Sequence, residues 1–251
     1  MRFFLAAFIP LAGILGLDAP ALVPGSTPPQ ENAYVSVMDG LPAVDGADPV
    51  RYALFVPAGL EPGRPTPLIL ALHFGGEPTP TYGRDFVEML IRPGLGGLGA
   101  IIVAPNCPGA DWRDPASENA VFKILDAVSR RFPIDARRVA VVGYSMGAAG
   151  AYHLGARYPD RFSAVVAISG LPNSSDLAGL TKVPVYAIHS ADDEVFPIHE
   201  ALAIYGELKR QGVSIEADIL HGMTHGQTPR FVPALKKAMD WLGRIWKAAG
   251  S

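Results

Sequence analysis

Five residues near the middle of the chain, Gly143-Tyr144-Ser145-Met146-Gly147, have the types and spacing for nucleophilic chemistry. A serine becomes a nucleophile when a neighbouring base takes its proton and its hydroxyl is held clear of the surrounding chain. G-x-S-x-G achieves this where a strand turns sharply into a helix. The residues two before and two after the serine then approach closely and must be small. The flanks here suit that turn. Residues 139–142 are a short valine-rich run, and a segment rich in Ala and Gly follows the motif and stops before Pro159. The N–H of Met146 then falls at a helix N-terminus, where partial positive charge favours an oxyanion. Read blandly, the same residues are a glycine-rich turn that happens to hold a serine. The rest of the chain must supply a base, an acid and a second oxyanion donor.

Strands and helices that alternate along the chain would position these groups. Apolar or alternating runs at 34–38, 50–56, 68–72, 100–104, 163–169, 183–189 and 214–220 read as strands. Helical spacing puts Val121, Ile124, Leu125, Val128 and Phe132 on one face of a segment beginning at Ala120. Residues 201–211, closed by Gly212, read as another helix. Residues 231–249 read as a third, with Leu235, Met239, Leu242 and Trp246 on one side. This order predicts an α/β domain with a mainly parallel sheet and helices on both faces. No repeat or linker divides residues 50–251, and the Pro/Gly/Ser/Asp-rich stretch 22–49 reads as an extended lead-in.

In a parallel sheet, functional groups gather on loops at the C-terminal ends of strands. The loop after 183–189 carries Asp192 and Asp193, and the loop after 214–220 carries His221 and His225. Serine, carboxylate and histidine in that chain order match the arrangement expected around such a turn.

These residues together resemble the α/β-hydrolase superfamily. Within it, the likeness is to compact esterases related to feruloyl esterases, polyhydroxybutyrate depolymerases and dienelactone-hydrolase-like carboxylesterases. The resemblance covers about residues 50–246. Residues 189–197 are similar to the family's H-G-x-x-D-x-x-V-P loop, with Ser190 in place of the glycine and Phe196 in place of the valine. The resemblance implies Asp193 rather than Asp192 as the acid. It implies His225 rather than His221 as the base; His221, at the strand end itself, would otherwise serve to fix the loop by a hydrogen bond. His73-Phe74-Gly75 resembles the family's H-G-G loop, which implies a second oxyanion donor at Phe74 or Gly75, Gly75 being favoured, beside a structural His73. Dienelactone hydrolases carry cysteine at the turn, so Ser145 points away from that activity.

Composition excludes several other classes. The net charge of −3, without runs of like charge, suggests neither nucleic acid nor an anionic membrane as partner. The six histidines lack ligand spacing, and the single Cys107 has no second thiol to pair with. No metal or cofactor is expected, and His153 and His199 read as ordinary core or surface residues. Met1-Arg2, an apolar run over 3–17 and Ala19-Pro20-Ala21 fit an export signal over residues 1–21. The run is short for a membrane span, which needs about 20 residues. The expectation is a secreted or periplasmic serine carboxylesterase acting through an acyl-enzyme.

Only residues 170–182 separate two strands where many relatives insert a cap, so the site should be open and suited to bulky or polymer-attached acyl groups. Trp112, Phe196 and Tyr144, with Phe74, are candidate substrate contacts, or else packing beneath loops. A peptidase of the prolyl-oligopeptidase type shares the turn and loop but usually carries a propeller domain. An acyltransferase would use the same three residues. A non-catalytic binding module would be expected to have lost one of them.

Overall fold

The apolar runs become central strands because both of their faces are covered. The computed structural model of the protein describes residues 33–41, 49–77 and 79–248. The expected export signal lies outside them. Eight strands form one sheet in the order β1-β2-β4-β3-β5-β6-β7-β8. They are β1 (Tyr34–Leu41), β2 (Val50–Pro57), β3 (Thr66–Leu72), β4 (Ile101–Pro105), β5 (Ile134–Tyr144), β6 (Ala164–Ile168), β7 (Val185–Ser190) and β8 (Ile215–Leu220). The β1–β2 and β2–β4 pairs are antiparallel, and every other pair is parallel.

Alternation along each strand divides the core in two. In β3, Leu68, Leu70 and Leu72 pack with α3 (Pro115–Arg131), α4 (Met146–Arg157) and α5 (Ile198–Arg210). Ile69 and Ala71 face the other way, toward α6 (Val232–Ala248) and a composite helical segment. That segment runs from α1 (Tyr82–Phe86) through a π turn into α2 (Arg92–Leu95) and a 3₁₀ turn. The expected α6 face is the buried one: Leu235 and Leu242 are fully buried and Trp246 nearly so. Each such side chain contributes about 1.5–3 kcal/mol of burial free energy.

Several elements differ from expectation. The α3 helix starts at Pro115 rather than Ala120, since proline at the first position lacks only an N–H that would have no acceptor there. The β5 strand starts at Ile134, five residues early, because its polar first half lies at the exposed bottom of the sheet. Residues 82–98, where no regular element is expected, are helical. Between β6 and β7 the chain holds one short 3₁₀ turn, Gly179–Lys182, so nothing of cap size rises there. Among the described residues, no helix is long and apolar enough to cross a membrane.

Candidate active site

Ser145 sits between the end of β5 and the first residue of α4 with φ 54° and ψ −116°. A side chain held at such angles costs about 1–3 kcal/mol and persists only where the surroundings force it. They do so here. A Cβ on Gly143 would lie 1.9 Å from the Gly147 carbonyl oxygen, and one on Gly147 would lie 1.9 Å from that of Leu72. Glycine at both positions therefore lets α4 start directly against β3 and β5. The Ser145 N–H donates to the Ile168 carbonyl at 2.8 Å, fixing the turn to the neighbouring strand.

His225 lies beside this hydroxyl, with Nε2 2.9 Å from Ser145 Oγ. Its Nδ1 is 2.9 Å and 3.1 Å from the two carboxylate oxygens of Asp193. Because Asp193 can only accept in its ionised form, Nδ1 carries the proton and Nε2 is free to take one from serine. The Asp193 side chain is wholly buried. Burial opposes its charge, but the Phe196 N–H, His225 and the Val195 N–H together hold its carboxyl below the usual range. It is an anion at neutral pH. Asp192 is exposed and accepts from the Gly222 N–H instead. His221 is also exposed, and no hydrogen bond of its imidazole is seen among the described residues; the expected loop-fixing bond is absent. That task falls to Ser190, whose hydroxyl donates to the Met223 carbonyl at 2.6 Å and ties the acid loop to the histidine loop. His189 braces the Asp193 loop from within, its Nε2 donating to the Phe196 carbonyl at 2.8 Å.

Facing Ser145 is the loop that leaves β3, whose first three carbonyls are each held by an aromatic side chain. Trp112 Nε1 donates to His73 O at 2.8 Å, His73 Nδ1 to Phe74 O at 2.7 Å, and the Tyr82 hydroxyl to Gly75 O at 3.0 Å. His73 Nε2 accepts from the Cys107 N–H at 3.0 Å, so its tautomer is set and its role is structural. Burial pushes its pKa down to about 4 in spite of the Phe74 bond. In a trans peptide the N–H points opposite to its carbonyl. Pinning these carbonyls turns the N–H groups of Phe74, Gly75 and Gly76 the other way. None of the three has an acceptor among the described residues. Met146 N–H, at the first position of α4, is likewise without one. Gly75 abuts Met146, since a Cβ on it would stand 3.6 Å from the Met146 sulfur. The loop and the helix start thus present free donors to one place.

Two expected substrate contacts are corrected. Trp112 is fully buried, lying against the Cα of Gly150, where an added Cβ would come within 2.3 Å of its own Cβ. Tyr144 is also buried, and its hydroxyl donates to the His225 main-chain carbonyl. Both support the site from beneath. Phe196 remains half-buried, its ring 5.6 Å from that of His225. His153 makes ion-pair contacts with Glu118 and Asp176, and His199 is exposed.

A cleft of about 290 Å³ opens beside Met146 and the loop that leaves β3, walled by Phe74, Gly75, Tyr82, Asn106, Cys107 and Met146. Tyr82 and Asn106 have no part in the sequence-based expectation. Asn106 is accessible to it, because only Pro105 separates it from strand 100–104. Its amide accepts from the Gly83 N–H and donates to the Thr79 and Pro80 carbonyls, holding the cleft wall in place.

Comparison with known proteins adds four likenesses. Residues 115–242 match the model of a family described as phospholipase/carboxylesterase. Feruloyl esterase C of Emericella nidulans is 27% identical over 192 residues, covering 75% of this chain and 70% of that protein. Among solved structures, a ferulic acid esterase superposes with a TM-score of 0.68 at 21% identity, over 84% of this chain and 99% of that one. A thermostable esterase gives 0.67 at 23% identity over 84% of this chain, which spans 62% of that chain's length. At these identities the two structures speak for the fold.

Proposed function

The chain belongs to the phospholipase/carboxylesterase family and is a serine carboxylesterase of α/β-hydrolase fold, and from that premise we propose that Ser145, His225 and Asp193 hydrolyse esters through an acyl-enzyme. The observation that carries this is the unbroken line of hydrogen bonds from Ser145 Oγ through His225 to Asp193, with 2.9 Å at each link. His225 Nε2 takes the Ser145 proton as Oγ attacks the ester carbonyl carbon. The negative charge that develops on the carbonyl oxygen meets the N–H groups of Met146 and Gly75, with Phe74 as the other candidate donor. The imidazolium, stabilised by the Asp193 anion, then gives its proton to the leaving alcohol. Water, activated by the same imidazole, releases the acid and restores Ser145. No metal or cofactor enters any step.

Geometry orients the substrate. The leaving oxygen must come within hydrogen-bond reach of His225 Nε2, so the alcohol lies toward His225 and Phe196. With the carbonyl oxygen directed at Met146 and Gly75, the acyl group is left to enter the cleft beside Phe74 and Tyr82. Its volume, near the small end of ligand pockets, takes an aromatic or short acyl group better than a long chain. Among the described residues, nothing of cap size follows β6 on the alcohol side, which suits a bulky or polymer-borne alcohol. An aromatic acyl group on a polymer is the feruloyl type of ester, in keeping with the likeness to feruloyl esterase C. Export is proposed from the sequence of residues 1–21 and is checked by the N-terminal sequence of protein recovered outside the cytoplasm.

A panel of p-nitrophenyl esters of increasing acyl length, methyl ferulate and an aminoacyl amide tests this reading. Expected are turnover of methyl ferulate and of short p-nitrophenyl esters, falling rates for long chains, and little hydrolysis of the amide. Preference for the amide would make the enzyme a peptidase. Ester cleavage that yields only a new ester when an alcohol is added would make it an acyltransferase.

A further inference from the structure

The loop that faces Ser145 is held at its far end by one side chain from outside it. Tyr82 is the first residue of α1, and its hydroxyl donates to Gly75 O at 3.0 Å. Its ring stacks on His73 at 4.1 Å between centroids and meets Phe74 edge-on at 5.4 Å. Gly76, with φ 150°, brings its backbone so near that an added Cβ would be 2.5 Å from the Tyr82 oxygen. The tyrosine is itself anchored. Gly83 N–H donates to Asn106 Oδ1 at 2.9 Å, and a Cβ on Gly83 would lie 2.4 Å from Ala104 O, so the start of α1 sits directly on the end of β4.

We propose that Tyr82 is a positioning residue for ester hydrolysis: its hydroxyl fixes the Gly75–Gly76 peptide and so holds the oxyanion loop in the conformation that aims its free N–H groups at the reacting carbonyl. This rests on the reading of Ser145 as the nucleophile. Trp112 and His73 hold the two preceding carbonyls from inside the core, so Tyr82 is the one clamp that lies half-exposed at the cleft. The two glycines that follow Phe74 give the loop freedom that only such a bond removes. Donors aimed in advance stabilise developing charge without reorganising during the reaction. Loosening them raises the barrier while leaving ground-state binding in place, because the ring still walls the cleft.

Tyr82→Phe removes the hydroxyl and keeps the ring. With p-nitrophenyl acetate, kcat is expected to fall roughly tenfold while KM stays within about twofold, as for loss of one hydrogen bond that orients a catalytic group. Affinity for phenylboronic acid, whose adduct with serine carries a tetrahedral anion, should fall in parallel with kcat. The thermal midpoint should move little. An unchanged kcat, or a loss confined to KM with boronate affinity intact, would overturn the proposal. Ser145→Ala in the same assay separates the two readings: if it still turns over, the nucleophile assignment fails, whereas if it is inactive and Tyr82→Phe is normal, only the role of Tyr82 fails.

Discussion

Tyr144 gives its phenolic hydrogen to the main-chain carbonyl of His225, so the residue before Ser145 holds the loop that carries His225. The two lie 81 positions apart in sequence, on different strand ends. Deleting the hydroxyl leaves a carbonyl without that donor beneath the site, which costs about 1–3 kcal/mol. Tyr144→Phe is therefore expected to lower the melting temperature and to reduce kcat more than it changes KM. Steady-state kinetics beside a thermal melt measures both. A variant with normal kcat would mean that His225 is held well enough by Asp193 and by the bond of its own N–H to Glu194.

The close approach at the turn predicts a steep size limit. Alanine at Gly147 would put its Cβ 1.9 Å from a main-chain oxygen of β3, which cannot give way as a flexible side chain would. Gly147→Ala should cost about 3 kcal/mol or more and reduce soluble yield. Gly206→Ala is the control, in α5 with nothing within 4 Å of the added Cβ. It should be neutral or stabilising by about 0.5–1 kcal/mol. Equal behaviour of the two variants in chemical denaturation would contradict the packing described at the turn.

His73 makes stability depend on pH from the acid side. Burial lowers its pKa from 6.5 to about 4. Between those values the unfolded chain binds a proton at this residue that the native chain does not, so stability falls as pH drops from about 6.5 toward 4. The loss from this group approaches roughly 3 kcal/mol, one pKa unit being about 1.4 kcal/mol. Denaturant unfolding of wild type and His73→Gln at pH 6.5 and 4.5 should show a shallower acid loss in the variant. Parallel losses would exclude His73 as the source.

His153 acts with the opposite sign. Asp176 first, and then Glu118 against the effect of burial, raise its pKa above the ordinary value. Tyr158 and Arg157 share the Glu118 carboxylate. A raised pKa gives stability that is full below about 6.5 and lost as pH rises through the native value. His153→Asn should thus destabilise more at pH 6 than at pH 9. The same cost at both pH values would mean that its charge contributes nothing.

The strands that carry the site are readable because each is an apolar or alternating run followed by chemically distinct residues. His73 follows β3, Ser145 follows β5, and Asp193 and His225 follow β7 and β8. The choice of Asp193 over Asp192 needed the family loop pattern, since both adjoin one strand end and only packing tells the buried carboxylate from the exposed one. The composite helix at 82–98 was hidden by its own irregularity. Its buried residues Phe86, Val87, Leu90, Ile91 and Leu95 keep a helical rhythm, but Pro93, Gly94, Gly96 and Gly97 interrupt it and the turns change pitch. Tyr82 was lost with that segment. Trp112 and Tyr144 looked like pocket residues because large aromatics near a site often are. Their burial depends on a glycine elsewhere, Gly150, and on a main-chain carbonyl elsewhere, that of His225, and such long-range pairings leave no local signal.

The central claim is that Ser145 forms the acyl-enzyme with His225 as its base. Treating the protein with a p-nitrophenyl phosphonate ester and mapping the adduct by peptide mass spectrometry, beside ester turnover by Ser145→Ala, tests it most directly. The account predicts one adduct, on the peptide bearing Ser145, complete loss of wild-type activity, and turnover by Ser145→Ala lower by a factor on the order of 10⁶. An adduct on another residue, or a Ser145→Ala protein that still cleaves esters at a comparable rate, would contradict it.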